Sequence, residues 1–427
     1  MQKSDLFLRE HRMNSAEVSI QQIVDLFTSE MLKGLEGKES SLRMIPTYIE
    51  ADNQFLREVP VVAIDAGGTN FRAAIVKFSM KGKLEITNLV NARMPGTEGE
   101  ISKGEFFQEI AGYVKALAEE TGRIGFCFSY PSEILPDKDG ILLQFCKEVQ
   151  APGVVGQLIG KNLLEALGMP EKQIVLLNDT VATLLAGKSA SPGRNYDSFI
   201  GYILGTGTNT CYIESNRNIL KNNRLDPVKS QIINIESGNF VKTPRTDIDL
   251  LFDNTTSNPG SYTFEKMISG GYFGGLCLAS LKEAAKENVF SGETATGIMS
   301  LDELSSVDIN SYISQSTFDR GPLYPLIKDK IDEENSIAII DSIIDRAAKL
   351  AAANLAAVVL KTNKGKSHHS PILITVEGTI YHKLNNLKSK IDRYLRDYLS
   401  DERERFFEFT EVRHSSLVGA ALAALIN

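Results

Sequence analysis

The sequence predicts an α/β fold in two domains, and three observations support this prediction. The length of 427 residues is typical of two or three domains. Short apolar runs alternate along the chain with segments of helical spacing. A strand–glycine turn–strand pattern occurs twice, at 61–78 (VVAIDAGGTNFRAAIVKF) and at 199–214 (FIGYILGTGTNTCYIE). Because about 120 residues separate the two copies, each is expected in a different domain.

The first copy combines a buried strand with a turn suited to an anion. Gly67 and Gly68 allow positive φ and leave no Cβ in the way, so backbone N–H groups can point at phosphate oxygens. The polar residues around these glycines are Asp65, Thr69, Asn70 and Arg72. Three of them supply donors for phosphate, and the carboxylate can hold a metal-bound water. A plain hairpin with a Gly-Gly turn is the alternative, but this concentration of polar groups favours a phosphate site.

The second copy repeats the pattern with Gly205-Thr206-Gly207-Thr208-Asn209 as its turn. Two phosphate hairpins without a P-loop suggest a nucleotide held between two domains. The tripeptide GKS occurs at 187–189 and 365–367, but the glycine required five residues earlier is Ala182 in one case and Leu360 in the other. Neither is a Walker A motif.

Composition narrows the function classes. The formal net charge of −8 argues against a general nucleic-acid surface and agrees with a small-molecule partner. Four widely separated cysteines fit a reducing cytosol, and no apolar run is long enough to span a bilayer. We therefore expect a cytoplasmic protein with no nucleic-acid or membrane partner. None of the five histidines lies in or between the two hairpins, so a general base would be a carboxylate.

The apolar periodicity predicts the remaining elements in chain order. Before the second hairpin these are a helix within 15–36, a strand at 84–91, a helix at 105–120, strands at 124–128 and 141–145, a helix at 158–167, a strand at 174–177 and a helix at 181–186. After it they are a strand at 231–235, a polar loop at 244–262 with one possible helical turn, a helix at 263–282 interrupted by glycines, a helix at 336–360, a strand at 372–376, a helix at 384–399, a strand at 406–410 and a helix at 417–426.

Two acidic positions in this series have both a functional and a structural interpretation. Asp179 follows the strand at 174–177 and precedes a helix, which is where α/β folds place active-site groups. Helix capping is the alternative, and the position between two phosphate hairpins favours function. Glu265 starts a predicted helix and is either a solvated charge or an inward-facing ligand.

Taken together, these segments resemble the hexokinase family of the actin-like ATPase fold. The resemblance runs in order from Met44 to the C-terminus. The matching segments are MIPTY (44–48), IDAGGTNFR (64–72), FCFSYP (126–131), LLNDTVATLLAG (176–187), GYILGTGTNTCYIE (201–214), INIESGNF (233–240) and FEKMISGGYFGG (264–275).

The resemblance implies two actin-like (ribonuclease H-like) domains with a cleft between them. The small domain would comprise 59–190 and 411–427, and the large domain 1–58 and 191–410. Asp179 would be the base for the 6-hydroxyl of a hexose, with Mg²⁺ held by Asp65 through water. The residues implied for the hexose are Ser129, Lys147, Asn178, Asn209, Glu236 and Glu265. Those implied for ATP are Asp65, Gly67, Gly68, Thr69, Asn70, Arg72, Thr206 and Gly207 at the phosphates, and Gly378, Thr379 and Ser416 at the adenosine.

Three positions depart from the family pattern. Cys146 stands where Thr is common before Lys147, Ser237 stands where Trp is usual after Glu236, and residues 414–419 replace a glycine-rich turn.

The expected partners are a hexose and ATP, in a monomer or homodimer whose domains close on sugar binding. The alternatives are a weakly catalytic sugar- and nucleotide-binding regulator on the same fold, an actin- or chaperone-like ATPase, and a kinase for another small acceptor.

Overall fold

The computed structural model describes residues 2–51, 54–145, 149–191, 193–314 and 320–426. Its strands are β1 (Ile45–Pro46), β2 (Val61–Gly67), β3 (Asn70–Phe78), β4 (Leu84–Arg93), β5 (Arg123–Phe128), β6 (Ser132–Ile134), β7 (Gly140–Leu142), β8 (Gln173–Leu177), β9 (Ser198–Leu204), β10 (Thr208–Ser215), β11 (Ser230–Asn234), β12 (Ile372–Glu377) and β13 (Phe407–Thr410). Its longer helices before β12 are α1 (Lys3–Glu10), α2 (Ile20–Glu36), α3 (Lys103–Glu119), α4 (Ile159–Leu167), α5 (Asp179–Ala190), α6 (Asp247–Asp253), α7 (Thr263–Ile268), α8 (Gly270–Lys286), α9 (Gly292–Met299), α10 (Ser306–Ile313) and α11 (Lys330–Thr362). After β12 they are α12 (Thr379–Lys383), α13 (Leu387–Arg396) and α14 (Ser415–Leu425).

Two mixed sheets organise these elements. A five-stranded sheet has the order β4-β3-β2-β5-β8, and a six-stranded sheet has the order β1-β11-β10-β9-β12-β13. In the first, β2, β5 and β8 run parallel. In the second, β9, β12 and β13 run parallel. Because parallel strands end at the same edge, each sheet gathers the loops that follow these strands at one edge.

Helix α5 lies between the two sheets and joins their cores. Its Val181 and Leu184 share a buried apolar cluster with Leu417 of α14 and Ile232 of β11. The Cys211 thiol on β10 donates to the Thr180 carbonyl at 3.1 Å. The N-terminus of α5 is therefore held against the second hairpin, although α5 follows a strand of the other sheet.

The large helical layer is organised around α11. Most of its residues between Ile339 and Val359 are buried. Arg346 of α11 makes a buried bidentate ion pair with Asp249 of α6, at 2.8 and 2.6 Å. Within the described ranges, no helix combines the length and apolar character that a bilayer-spanning segment requires.

The structure corrects several predicted boundaries. The helix expected from residue 336 starts at Lys330, because the Asp329 side chain caps it by accepting from the Asp332 N–H. The region predicted as the polar loop 244–262 contains α6, whose Thr246 and Asp249 form a capping box. The strand expected at 141–145 ends at Leu142. The interrupted helix at 263–282 is two helices, α7 and α8, with Ser269 extended between them. The sequence did not indicate α1, α9 or α10 at all.

Candidate active site

The turn predicted to bind phosphate in the first hairpin, called here the first phosphate turn, comprises residues 67–70 and lies at the end of β2. In the antiparallel register of β2 and β3, Asp65 stands opposite Arg72. Both Nε and one terminal nitrogen of Arg72 donate to the same oxygen, Oδ2, of Asp65. Asp65 is only 8% exposed, and this burial raises its pKa against the opposing effect of the Arg72 guanidinium. The turn residues Gly68 and Thr69 and the first residue of β3, Asn70, are exposed.

Two neighbouring loops lie at the same edge of the five-stranded sheet. β5 leads into Ser129, whose N–H donates to the Ala66 carbonyl at 3.0 Å. β8 leads into Asn178 and Asp179, which begin α5. The Thr180 N–H donates to the Oδ1 of Asn178 at 2.9 Å and to the Oδ1 of Asp179 at 2.8 Å. The Asp179 side chain therefore contributes to capping α5 beside the N-cap residue Asn178. This contact does not exclude a second role for the carboxylate.

The second phosphate turn is held by the start of α8. The N–H groups of Gly270 and Gly271 donate to the carbonyls of Gly205 and Thr206, at 2.8 and 2.9 Å. These two carbonyls point at the helix, which fixes the turn that contains Thr206 and Gly207. The turn follows β9, so it lies at the same edge of the six-stranded sheet as the end of β12.

Amides and a carboxylate form a connected cluster beside α5. The Asn209 Nδ2 lies 2.7 Å from Asn234 Oδ1 and 3.4 Å from both Glu236 Oε1 and Asn178 Oδ1. The Asn234 Nδ2 donates to Glu236 Oε1 at 2.8 Å. Glu236 has φ +60°, a left-handed conformation that is strained for a residue with a Cβ and is often associated with function.

Glu265 points inward beneath the second turn, so the interpretation as a solvated helix-start charge is wrong. Its Oε2 accepts the Thr208 N–H at 2.8 Å. A Cβ added at Gly207 would lie 2.6 Å from Oε2, and one at Gly238 would lie 3.0 Å from it. The two glycines therefore make room for this carboxylate.

Burial raises the pKa of Asp65, Asp179, Glu236, Glu265 and Glu377, and neighbouring carboxylates add to this effect at Asp179, Glu265 and Glu377. The pKa of Asp179 rises to about 6, first because of burial and then because of the charges of Asp65 and Glu236. Burial likewise raises the pKa of Glu265 to about 7, with Glu236 as the nearby charge, and raises that of Glu236. Glu377, at the end of β12, reaches about 7 through burial and the charges of Asp179 and Asp65. Groups with perturbed pKa values gathered in one place are typical of active sites.

The predicted adenosine residues follow β12. Gly378 has φ +132°, and a Cβ there would lie 2.1 Å from the Leu204 carbonyl, so this turn packs against the second phosphate turn. Thr379 is the first residue of α12 and is exposed. Ser416 is buried in the first turn of α14 and hydrogen-bonds to Asp65. The hydroxyl of its neighbour Ser415 donates to Glu377.

A cavity between the two sheets receives residues from both. Its polar lining residues are Thr47, Tyr130, Ser132, Asn178, Asn234 and Glu236. Other contacts connect the lining of this cavity to the two hairpins, since Tyr130 bonds to the Gly68 carbonyl and Asn209 lies 3.4 Å from both Asn178 and Glu236. Lys147, with Cys146 and Glu148, lies outside the described residues.

Sequence reasoning missed four residues of this region. Asn234, Glu377, Ser415 and Tyr130 each contact a predicted site residue or lie beside one. Asn234 lies inside the INIESGNF segment and Glu377 directly precedes Gly378, so proximity to a motif was a usable signal for both. Ser415 directly precedes the predicted Ser416, but its contact with Glu377 could not be predicted because α14 is far from β12 in sequence.

The comparisons with known proteins match this arrangement along nearly the whole chain. Two models described as hexokinase match residues 6–189 and 199–426. The hexokinase-1 of Schizosaccharomyces pombe is 30% identical over 435 aligned residues, which cover 96% of this chain and 87% of that protein.

The chain belongs to the hexokinase family. It is thereby a hexose kinase. Hexokinase-3 of Oryza sativa subsp. japonica is 28% identical over 96% of this chain and 87% of that protein. A solved hexokinase from Schistosoma mansoni complexed with glucose superimposes with a TM-score of 0.81 at 22% identity and covers all of both chains. A second hexokinase crystal structure gives 0.80 at 24% identity, covering 99% of this chain and 98% of that one. The predicted two-domain α/β fold of this hexokinase family member is confirmed.

Proposed function

We propose that this hexose kinase transfers the γ-phosphoryl group of ATP to the 6-hydroxyl of glucose or a related hexose, with Asp179 as the general base. The observation that carries the proposal is the position of Asp179. It starts α5, next to the amide–carboxylate cluster of Asn178, Asn209 and Glu236, and is electrostatically coupled to Asp65 at the first phosphate turn. The glucose complex of the S. mansoni hexokinase supports the hexose as acceptor.

The residues around Asp179 suit a sugar with several hydroxyl groups. Each hydroxyl both donates and accepts, and the carboxylates of Glu236 and Glu265 and the amides of Asn178 and Asn209 offer complementary groups. Ser129 lies in the neighbouring loop, and Lys147 keeps its proposed role as a donor. Such a set of buried polar groups rejects analogues that leave them unpaired.

The chemistry at the phosphate end is positioning and charge neutralisation. Phosphoryl transfer passes through a loose transition state with charge spread over the phosphoryl oxygens. We assign the phosphate contacts to the first turn with Arg72 and to Thr206 and Gly207 of the second, and the adenosine to Gly378 and Thr379. Ser416 lies beside Asp65. We assign it to the place where the phosphate part and the adenosine part of the proposed nucleotide site meet.

The carboxylates also fit a magnesium ion held through water by Asp65. Mg²⁺ keeps several waters and is usually bound by one or two carboxylates together with substrate phosphates. Burial and the charges of Asp65 and neighbouring carboxylates raise the pKa values of Asp179 and Glu377, and a divalent cation relieves such an environment. When bound, the ion would offset charge on the transferring phosphoryl group.

We propose the domain division 59–190 with 411–427 and 1–58 with 191–410, closing over the sugar to exclude water. The sheet compositions support it, and α14 packs its Leu417 and Val418 with Val61 and Ala63 of β2. Contacts such as Asn209 to Asn178 and Ser415 to Glu377 already span the two proposed domains, and a further one is exposed. The Gln144 Nε2 donates to the Tyr262 hydroxyl, directly before α7, at 2.7 Å.

Glucose is expected to decrease the radius of gyration of this protein in small-angle X-ray scattering, because closure brings the two sheets together. The same titration on the Glu236→Ala variant is the control, since that variant should not respond at the same glucose concentration. An unchanged radius of gyration in the wild-type protein would contradict closure.

The pH dependence of turnover should report the pKa of Asp179. A base must be deprotonated to accept a proton, so kcat/KM for the hexose is at its plateau above the pKa of about 6. This kcat/KM should fall as the pH decreases through the pKa of Asp179. From about one pH unit below that pKa, each further unit should lower kcat/KM about tenfold. Initial rates between about pH 5 and pH 8, with the coupling enzymes in excess, test this. A rate that stays flat to the acid end would show that the base titrates elsewhere.

One assay tests the proposed function as a whole. ADP release is measured by a coupled reaction with glucose, mannose, fructose and N-acetylglucosamine as acceptors, and with no acceptor as the control. Acceptor-dependent ADP release and a hexose 6-phosphate product are expected. ADP release without an acceptor would favour an ATPase, and binding of sugar and nucleotide without turnover would favour a regulator on the same fold.

A further inference from the structure

Tyr130 connects the loop after β5 to the first phosphate turn. Its hydroxyl donates to the Gly68 carbonyl at 2.8 Å. The residue is only 2% exposed, and its ring packs against Phe128 and Phe145, with centroids 4.9 and 5.0 Å away. The ring is therefore fixed by aromatic contacts, and the hydroxyl reaches the turn from a rigid base.

The Gly68 carbonyl is a sensitive point of that turn. Gly68 has φ +58° and is exposed, and its carbonyl accepts the Tyr130 hydroxyl. A trans peptide directs its C=O and N–H in opposite directions. A hydroxyl that holds the Gly68 carbonyl therefore also sets the direction of the Thr69 N–H, one of the groups assigned above to phosphate.

The same loop reaches the turn at two further points. The Ser129 N–H donates to the Ala66 carbonyl at 3.0 Å. A Cβ added at Gly67 would lie 2.8 Å from the Cβ and Oγ of Ser129, so the two segments are in close contact. Tyr130 and Ser132 meanwhile line the cavity shared with Asn178 and Glu236. A ligand in that cavity and a phosphate on the turn thus touch opposite sides of one connected segment.

We propose that Tyr130 is a positioning residue that transmits sugar binding to the first phosphate turn. A sugar in the cavity stabilises this position of the ring, and with it the Gly68–Thr69 peptide that the nucleotide contacts. This inference rests on the proposed function for the identity of the two ligands. Binding coupling is reciprocal, so glucose should tighten nucleotide binding by the same factor by which the nucleotide tightens glucose binding.

Tyr130→Phe tests the proposal because it removes only the hydroxyl and keeps the ring. Calorimetry measures the Kd of the non-hydrolysable analogue AMP-PNP with Mg²⁺, with and without saturating glucose, and the Kd of glucose alone. Loss of one hydrogen bond should weaken AMP-PNP binding in the presence of glucose by about 3- to 10-fold. In Tyr130→Phe, the ratio of the AMP-PNP Kd without glucose to the AMP-PNP Kd with glucose should shrink towards one. The Kd of glucose alone should stay within about twofold of the wild-type value.

Tyr312→Phe is the matched control. That tyrosine is also fully buried, and its hydroxyl bonds to Ser336 Oγ at 2.6 Å in the helical layer. Tyr312→Phe should lower the melting temperature without changing the ratio of the AMP-PNP Kd values measured without and with glucose. If Tyr130→Phe behaves in the same way, its hydroxyl is only structural and the proposal is wrong.

The readouts separate this inference from the proposed function. A wild-type protein that binds AMP-PNP and glucose with coupling, together with an unaltered ratio in Tyr130→Phe, would overturn the inference and leave the proposed function intact. A wild-type protein that binds neither ligand, or binds both without coupling, would overturn the inference as well. Only the ADP-release assay decides the proposed function itself.

Discussion

Replacing Asp179 by alanine is expected to lower kcat by about 10²- to 10⁴-fold while leaving the fold and sugar binding in place. The carboxylate would no longer take the proton from the attacking hydroxyl, whereas the cavity residues Asn178, Asn209 and Glu236 are unchanged. The helix start keeps the Asn178 cap, whose Oδ1 accepts the Thr180 N–H at 2.9 Å. Steady-state kinetics with glucose and ATP, and calorimetry with glucose, measure the two effects.

Asp247→Ala is the matched control for this substitution. Asp247 is also the first residue of a helix, α6, and its Oδ1 accepts the following N–H at 3.0 Å, as Asp179 does at 2.8 Å. Turnover is expected to be lost only in Asp179→Ala. That variant should be no less stable than Asp247→Ala, because removing a buried carboxylate with a raised pKa relieves an electrostatic cost, whereas Asp247 also bonds to His11 at 2.7 Å. Normal turnover in Asp179→Ala would mean that the base is elsewhere.

Replacing Glu236 by alanine is expected to raise the KM for the hexose by about 10- to 200-fold, the range for losing one hydrogen bond to a charged group. Two effects contribute to the loss. The acceptor offered to the sugar disappears, and the Nδ2 groups of Asn234 and Asn209 lose Oε1, which lies 2.8 and 3.4 Å away. kcat at saturating hexose should fall much less, because the base is intact.

Two further variants make the Glu236 experiment specific. Glu236→Gln keeps the size and one acceptor oxygen, and an intermediate KM is expected. Glu404→Ala replaces another glutamate with a left-handed backbone, φ +52°, in an exposed position. It controls for the backbone effect and should leave the KM unchanged. Wild-type hexose affinity in Glu236→Ala would remove this carboxylate from the sugar site.

The sequence predicted the two hairpins well because their geometry is local. The pairing of Asp65 with Arg72 follows from the register of two adjacent antiparallel strands. The N-terminus of α5 was likewise readable, since Asn178 and Asp179 are both good capping residues. The helical layer was predicted less well. The starts of α6 and α11 depend on caps in polar stretches, where apolar periodicity carries little signal.

By itself, the sequence determined which residues are candidates for the chemistry: two glycine turns, an aspartate at a helix start and two glutamates in recognisable segments. These are properties of a few neighbouring residues, set by turn geometry, capping and strand register. Only the tertiary structure decided which groups from distant parts of the chain meet in the candidate site. Glu265 reaches the Thr208 N–H, Asn209 reaches Asn234 and Glu236, and Ser415 reaches Glu377 because the packing of α5, α7 and α14 sets distances that residue spacing does not encode. The raised carboxyl pKa values have the same origin, since burial and charge crowding exist only after the two sheets have packed around α5.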